Sequence, residues 1–134
     1  MRFLIDTHAW LWFVLGNNSL PKSIRDTIAD SGNSIFLSPA SYWEIAIKIS
    51  LGKYTLPIPF DRFLNEAIAG EGMTVIPVTP EHAIIVAQLP FHHRDPFDRL
   101  LIAQAIGENL PIISADSAFD RYGVQRVWEN SGSP

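Results

Sequence analysis

The sequence alternates short apolar runs with longer segments that carry helix start signals. The runs are strand-sized and rich in β-branched residues: Phe3–Ile5, Ile35–Leu37, Val75–Val78, Ile112–Ile113 and Val124–Val127. Three of the intervening segments begin with a capping residue followed by proline, at Ser38-Pro39, Thr79-Pro80 and Asp95-Pro96. Strands that are apolar on both faces and alternate with helices are typical of a parallel sheet covered by helices. The pattern therefore predicts an α/β fold with a central, mainly parallel β-sheet flanked by helices.

Two further segments have helix-like patterns, and the chain length fits one domain. The segment KSIRDTIADSG follows Pro21, and FDRFLNEAIAGEG ends at a glycine. The proline-rich connection KYTLPIPF, between two predicted helices, is the best candidate for a mobile loop. A chain of 134 residues normally builds one hydrophobic core. We therefore expect a single domain over residues 1–130 and a flexible C-terminal tail over residues 131–134.

The residue composition excludes several classes of protein. Without cysteine, a disulfide framework and a thiolate metal site are both impossible, and a reducing cytoplasm is the expected location. Asp6 and His8 interrupt the first apolar stretch, which therefore fits neither a signal peptide nor a membrane span. We expect a cytoplasmic protein with no membrane partner.

The net charge of −4 argues against a passive nucleic-acid binder, which usually carries a surplus of basic residues. That inference depends on where the 14 acidic residues lie. If four of them occupied one metal site, the remaining 10 would balance the 10 lysines and arginines. The rest of the surface could then still offer local basic patches.

The N-terminal stretch FLIDTHAW places a carboxylate where a buried strand ends. A cap on the following helix requires only one polar residue, and Thr7 alone would supply it, which leaves Asp6 unexplained. Asp116, in PIISAD, follows a later strand in the same way. Because ligands of parallel sheets bind outside the carboxyl ends of the strands, these two carboxylates are expected to meet there. Glu44 and Asp98 lie early in two of the proline-initiated helices and can reach the same edge.

Four carboxylates brought together would favour the binding of a divalent cation. They repel one another unless they are protonated or bound to cations. Hard oxygen ligands without histidine or cysteine select Mg²⁺ or Mn²⁺. One or two such ions turn water into a nucleophile and stabilise the charge that develops on a phosphodiester. The predicted cluster therefore indicates nuclease chemistry.

Each carboxylate also has a purely structural explanation when it is considered alone. Asp6 could cap a helix at the surface, and Asp116 could cap the turn that follows it. Glu44 could pair with Lys48, four residues further along an exposed helix face. Asp95 fits an N-cap, and the acid three residues later would favour the helix dipole. Only the combination of two acids at strand ends with two on helices points to a site.

Four stretches of the sequence, in their order and spacing, resemble the PIN-domain family, specifically the VapC-type toxins of bacterial and archaeal toxin–antitoxin pairs. They are FLIDTHAWLW, SPASYWEIAIKISLGK, HHRDPFDRLLIAQA and PIISAD. The resemblance extends to about Trp128, and DPFDRLLIAQA and LIDTHAWLW are its most specific parts. It implies a PIN-like fold, with a single nuclease domain over residues 1–130 that acts as a Mg²⁺- or Mn²⁺-dependent endoribonuclease on RNA.

The resemblance also assigns site residues and partners. It maps a catalytic, metal-binding acidic quartet onto Asp6, Glu44, Asp98 and Asp116. Thr7 and Ser114 hold places where the family often has a hydroxyl, which would orient ligands or bound waters. Asp95 would support the quartet without binding the metal itself, in addition to capping its helix. Proteins of this kind usually form homodimers and are silenced by a cognate antitoxin that inserts a segment into the acidic groove.

Basic and histidine residues lie beside the acids in sequence. Candidates for contacts with the RNA backbone are Lys48, Arg94 and Arg99, although Arg99 could equally form a salt bridge with the neighbouring Asp98. The histidines near the acids are His8, His92 and His93. We expect these histidines to form hydrogen bonds or to face RNA rather than to bind metal.

Three tryptophans are candidates for stacking on bases: Trp10, Trp12 and Trp43. A place in the core or in a dimer interface is the stronger expectation, because AWLWFVL is apolar on every face of a helix and must be covered.

Other functions fit the sequence less well. A haloacid-dehalogenase-type phosphatase needs a second aspartate two residues after the first, where this chain has His8. Dinucleotide binding needs a G-x-G-x-x-G motif after the first strand, and the chain has none there. A catalytically silent PIN-like binding module would have a broken quartet, whereas all four acids are present. A PIN nuclease of RNA processing outside a toxin pair stays an alternative.

Overall fold

The structure, a computed structural model, describes residues 1–129, so the tail expected over residues 131–134 lies outside the described part. The strands are β1 (Arg2–Ile5), β2 (Ser34–Leu37), β3 (Thr74–Val75), β4 (Ile112–Ile113) and β5 (Arg126–Val127). The α-helices are α1 (Thr7–Leu15), α2 (Lys22–Ala29), α3 (Pro39–Ser50), α4 (Phe60–Asn65), α5 (Pro80–Gln88) and α6 (Pro96–Gly107). A π-helical segment (Glu66–Gly70) and a 3₁₀ helix (Ser117–Tyr122) complete the described elements.

The five described strands form one parallel sheet in the order β3-β2-β1-β4-β5. Leu4 of the central strand β1 lies opposite Phe36 of β2 and Ile112 of β4. The α/β fold with a parallel central sheet is therefore confirmed. The chain first adds strands on one side of β1 and later on the other, so the strand order reverses between β1 and β4. A reversal of this kind opens a crevice at the carboxyl ends of the two strands, where ligands bind in open α/β sheets.

Helices cover both faces of the sheet, as the alternation of side chains along β1 shows. Phe3 and Ile5 face a core cluster that includes residues of α1, α2 and α4. Leu4 points to the opposite face and joins a second cluster, formed largely by α6. Helix α3 contributes to both clusters. A one-residue slip of β1 would exchange the side chains that face the two clusters, so packing on both faces favours one register.

Helix α1 can be apolar on all sides because neighbouring elements of the core cover most of it. Trp10 is fully buried, and its ring packs edge-on against Phe63 of α4 at a centroid distance of 5.2 Å. Trp12 is half-buried, 6.1 Å from Trp128. Trp43 differs, since 63% of it is exposed on α3. The core placement expected for the tryptophans therefore holds for Trp10 but not for Trp43.

The structure differs from the sequence prediction mainly at the ends of elements. The strand expected over Val75–Val78 is Thr74–Val75, because Pro77 has no N–H with which to extend the ladder. The last strand is limited to Arg126–Val127. The helix expected in FDRFLNEAIAGEG divides into α4 and the π-helical segment. In KYTLPIPF, the candidate mobile loop, alternate side chains pack against the core.

Candidate active site

Asp6 and Asp116 follow β1 and β4, the two strands between which the strand order reverses. Asp6 is the N-cap of α1, and its Oδ1 accepts a hydrogen bond of 2.8 Å from the Ala9 N–H. The capping role considered for Thr7 thus falls to Asp6, while the Thr7 hydroxyl donates to Ser41 Oγ at 2.9 Å. Capping uses one oxygen of Asp6, so its second oxygen can serve another partner.

Asp6 is a buried carboxylate, since only 5% of it is exposed. Burial raises the pKa of its carboxyl, and the negative charge of Asp116 adds to the rise. Hydrogen bonds from Ser114 and the Ala9 N–H, together with the charge of His8, act in the opposite direction. A buried carboxylate with a raised pKa in a crevice is a frequent mark of a functional site.

Glu44 lies on α3 and is 6% exposed. Its Oε2 accepts a hydrogen bond of 2.7 Å from Lys48 Nζ, one turn further along the helix. The pairing considered from sequence is therefore present, but Glu44 is buried rather than on an exposed helix face. Ser38 fixes the start of α3, since its hydroxyl accepts a hydrogen bond from the Ala40 N–H.

Asp98 lies in the first turn of α6, and its carboxyl, like that of Asp6, has a raised pKa. The pKa of Asp98 is raised to about 7, mainly by burial and then by the charges of Asp95, Asp6 and Glu44, while the charge of His93 lowers it. Asp95 caps the helix by accepting hydrogen bonds from the Phe97 and Asp98 N–H groups. Asp95, Asp6 and Glu44 thus lie close enough to Asp98 to influence it electrostatically.

Asp116 is the most exposed member of the predicted quartet. It caps the 3₁₀ helix by accepting a hydrogen bond of 2.9 Å from the Ala118 N–H. Its own N–H donates to the hydroxyl of Ser114 at 3.0 Å. Ser114 is fully buried and acts on both strand-end acids, because it also lowers the pKa of Asp6. The structure therefore places Ser114 between them.

His93 joins two of the acids. Its Nε2 lies 3.0 Å from Asp98 Oδ2 and 3.2 Å from Asp116 Oδ2. Its Nδ1 accepts a hydrogen bond of 3.2 Å from the Asp95 N–H, so a neutral His93 carries its proton on Nε2. Histidines that bind metals usually donate from their second nitrogen, whereas the second nitrogen of His93 is an acceptor. The geometry is that of a hydrogen-bond donor to the carboxylates.

In the sequence, His93 is one of three histidines near the acids, with His8 and His92. The available signal was its place two residues before Asp95, the cap of the helix that carries Asp98. His92 is exposed instead, and its ring contacts Tyr122. Only the path of the loop determines which of the two adjacent histidines faces the acids.

Arg99 is placed differently from the other two basic candidates. It is 6% exposed, and its guanidinium donates to four backbone carbonyls at 3.0–3.3 Å: Val86, Leu89, Pro90 and His93. It forms no salt bridge with Asp98 and is not presented at the surface for RNA. Arg94 is exposed, and Lys48 is partly exposed beside Glu44.

The donor set at this edge fits a hard divalent cation. The carboxylates of Asp6, Glu44, Asp98 and Asp116 would offer oxygen ligands, and the raised pKa of Asp98 reflects its burial and, to a smaller degree, the charges of neighbouring acids. Asp98 and Asp116 each have one carboxylate oxygen in a group, with His93, whose members lie within 4.8 Å of one another; among the described residues, this group does not include Asp6 or Glu44. Mg²⁺ and Mn²⁺ both prefer carboxylate and water oxygens.

The PIN domain model matches residues 3–125, so the chain belongs to the PIN-domain family. A search of curated protein sequences finds no significant match. Among the residues that the structure describes, none of the helices is long and apolar enough to cross a membrane.

Solved structures with a similar fold include toxin–antitoxin complexes. One match is VapBC2 of Rickettsia felis, bound to a DNA fragment from its promoter. It has a TM-score of 0.71 and 15% identity, over 96% of this chain and 100% of that chain. VapBC-5 of Mycobacterium tuberculosis matches with a TM-score of 0.62 and 18% identity, over 96% and 98%. FitAcB of Neisseria gonorrhoeae has a TM-score of 0.56 and 18% identity, over 94% and 96%. At these identities the likeness shows a shared fold.

Proposed function

We propose that this protein is a metal-dependent endoribonuclease that hydrolyses RNA phosphodiester bonds. The observation that carries the proposal is the environment of Asp98, where burial and three other acids raise the pKa of the carboxyl to about 7. Buried acids that repel one another are stabilised when a cation lies among them. Membership of the PIN-domain family supports nuclease chemistry at this crevice.

Mg²⁺ or Mn²⁺ would be held by Asp6, Glu44, Asp98 and Asp116, whose oxygens are of the type that these ions prefer. The bound ion would supply an acidified water and neutralise charge on the phosphodiester. Whether one or two ions bind, the same four side chains would form the site.

The chain's own residues hold this arrangement in place. The α1 N–H of Ala9 fixes one oxygen of Asp6, and Ser114 orients Asp6 and the backbone of Asp116. The hydrogen bond between Thr7 and Ser41 ties the start of α1 to α3, the helix that carries Glu44. We assign to Glu44 the orientation of the attacking water.

Two exposed cations are suited to bind the RNA backbone. Lys48 Nζ lies 2.7 Å from Glu44 Oε2, at the border of the acidic crevice. Arg94 is exposed in the loop that carries His93. Contacts to phosphates position a strand without reading its sequence. Arg99 has no such role in this proposal, because its guanidinium is used by backbone carbonyls.

We further propose that the protein is the toxin of a VapBC-type pair, present in the cytoplasm and silenced by a cognate antitoxin. The fold similarity to the VapBC complexes, over almost the whole of each chain, supports this partner. A homodimer is also part of the proposal. Trp43 and Phe97 line an apolar surface groove of about 360 Å³ between α3 and α6, and exposed apolar surface of this kind is typical of protein interfaces.

The test is cleavage of total cellular RNA by the purified protein, free of antitoxin, with Mg²⁺, with Mn²⁺ and with a chelator. Asp6→Asn and Asp98→Asn are compared with Asp26→Asn, an exposed acid on α2. We expect cutting that requires the ion and is lost in the first two variants only. A folded parent protein that cuts no RNA, or site variants that cut as well as the parent, would remove the nuclease assignment and leave a binding module.

A further inference from the structure

A cavity of about 170 Å³ lies between α1 and α3, beside the carboxylates. Thr7 and Glu44 line this cavity and also belong to the candidate active site. The cavity therefore adjoins the crevice. No step of the proposed hydrolysis uses this space.

Aromatic rings form much of the cavity wall: His8, Trp12 and Tyr54. The rings of His8 and Trp12 are 6.0 Å apart, and Trp128 supports Trp12 from elsewhere in the chain at 6.1 Å. Apolar side chains of α1, including Leu11 and Leu15, complete the lining. Flat, partly fixed aromatic surfaces of this kind bind planar rings by stacking.

The same cavity has polar groups with unused hydrogen-bonding capacity. Asn17 Oδ1 accepts a hydrogen bond from the Ser19 N–H at 2.8 Å, which leaves its amide nitrogen available. In the described part of the chain, neither the Asn17 amide nitrogen nor the Tyr54 hydroxyl takes part in a hydrogen bond. A site that combines stacking surfaces with a few free donors and acceptors is suited to a heteroaromatic ring.

A positive charge lies at the border between the cavity and the carboxylates. Lys48 lines the cavity, and its ammonium group pairs with Glu44. If the ring of a ligand occupied the cavity, the part of the ligand outside the cavity would therefore lie beside Lys48 and the candidate cation site. A nucleotide has this distribution of groups, with a planar base attached to a ribose phosphate.

We propose that this cavity binds one unpaired nucleobase of the RNA, from a nucleotide adjoining the bond that is cut, and thereby sets the base preference of cleavage. The proposal rests on the proposed endoribonuclease function. A base inside a duplex is stacked and paired, so only single-stranded RNA can place a base there. The preferred base is the one whose edge matches the Asn17 amide and the Tyr54 hydroxyl.

The first test measures binding without cleavage. The full-length protein is labelled with 5-fluorotryptophan and titrated, in a chelator, with each of the four nucleoside 5′-monophosphates and with ribose 5-phosphate. The Trp12 signal is assigned by Trp12→Phe, and the exposed Trp43 serves as an internal control. We expect one or two of the nucleotides to shift the Trp12 signal, while ribose 5-phosphate does not and Trp43 stays unchanged.

Tyr54→Phe removes only the hydroxyl, whereas Asn17→Ala removes the amide together with its hydrogen bond from the Ser19 N–H; both variants keep the stacking surface. Each variant should bind the preferred nucleotide about threefold to tenfold more weakly, the effect of one neutral hydrogen bond. Asn18→Ala is the matched control, because Asn18 is an exposed neighbour that does not line the cavity. If no nucleotide shifts the Trp12 signal, or if ribose 5-phosphate shifts it as strongly as the nucleotides do, the base site is refuted.

Cleavage then separates this proposal from the nuclease assignment. RNA fragments cut by the parent should share a base at one position next to the cut, and Asn17→Ala should weaken that preference while still cutting. Cutting with a preference that neither variant changes overturns the base site and retains the nuclease. Nucleotide-dependent shifts of Trp12 in a protein that cuts no RNA support the base site and reject the nuclease.

Discussion

Two histidines make similar hydrogen bonds in different regions of the molecule. His82 Nδ1 accepts a hydrogen bond of 3.0 Å from the N–H of Thr79, the N-cap of α5. His93 Nδ1 accepts one of 3.2 Å from the N–H of Asp95, the N-cap of α6. In both residues Nδ1 is therefore an acceptor, and Nε2 carries the proton of the neutral ring.

The two residues differ in what Nε2 faces. His82 lies within α5, is 1% exposed, and its Nε2 lies 3.0 Å from the single carboxylate of Glu108, next to the end of α6. His93 precedes α6, and its Nε2 faces the carboxylates of Asp98 and Asp116. The Nε2–H of His82 is sufficient for the one carboxylate of Glu108. The Nε2–H of His93 is shared by two carboxylates, so negative charge remains beside it. The number of acids around a histidine, rather than the hydrogen bond itself, separates a structural role from a place in a site.

The largest effect on stability should follow His82→Ala. The change removes a buried ring and one half of the capping box with Thr79, so the free energy of unfolding should fall by about 2–4 kcal/mol. Urea unfolding monitored by circular dichroism measures the change. His92→Ala, at an exposed histidine, should stay within about 0.5 kcal/mol of the parent. Equal losses in the two variants would remove the structural role given to His82.

The burial of Asp98, together with the charges of Asp95, Asp6 and Glu44, should make the stability of the metal-free protein depend on pH. The pKa of Asp98 rises from 3.8 to about 7 on folding, so the folded state holds a proton that the unfolded state releases between these values. The stabilising contribution is present below about pH 4 and is lost as the pH rises through 7, with a fall of roughly 2 kcal/mol after allowance for partial exposure.

Asp98→Asn tests this pH dependence, because an amide has the same shape and no titration. The slope of unfolding free energy against pH should be shallower in this variant, which should be more stable than the parent at pH 8. Asp26→Asn, on the exposed face of α2, should keep the parent slope. Parallel curves for the parent and Asp98→Asn would contradict the assigned environment.

His93→Ala should act mainly on its acidic neighbours. His93 lowers the pKa of Asp98, so its removal should raise that pKa further. The expected loss of stability is only about 1 kcal/mol, that of a partly exposed hydrogen bond. A carbon-13 NMR titration of the Asp98 carboxyl in metal-free protein measures the shift. His82→Ala should leave this titration unchanged, and an effect of equal size from both variants would contradict the distinction between the two histidines.

The smallest effect is expected for Glu108→Gln. The amide oxygen of glutamine can still accept a hydrogen bond from His82 Nε2, and the carboxylate it replaces is partly exposed. The free energy of unfolding should change by less than about 1 kcal/mol. Urea unfolding again gives the value, and a loss as large as that of His82→Ala would show that the charge of Glu108, rather than the buried ring, stabilises this region.

The parts of the fold that could be predicted best from the sequence are those that local residue patterns determine. Apolar runs flanked by proline-initiated helices predicted the parallel sheet, since strands buried on both faces and capped helix starts leave local marks. The places of Asp6 and Asp116 at the ends of β1 and β4 followed from the same pattern. The mutual influence of the acids on the pKa of Asp98 required the strand order, which local patterns do not contain.

Other features depend on contacts between distant segments and leave no local mark. The choice of Asp6 over Thr7 as the α1 cap depends on the dihedral angles at the end of β1. The choice of His93 over His92 depends on the path of residues 89–95. Arg99 had the appearance of a surface cation, and only the structure shows that the carbonyls of that path surround it.

The hydrogen bonds of Arg99 to backbone carbonyls limit how the loop of residues 89–95 can vary in sequence. The guanidinium holds the Leu89, Pro90 and His93 carbonyls, the Tyr122 hydroxyl donates to Pro90, and the His93 N–H donates to the Tyr122 oxygen. Most of these bonds go to main-chain atoms, which every amino acid provides. For folding alone, exposed side chains that make no contact with Arg99 can therefore be exchanged, whereas inserting or deleting one residue would shift the carbonyls out of register. The loop is constrained in length and tolerant in composition.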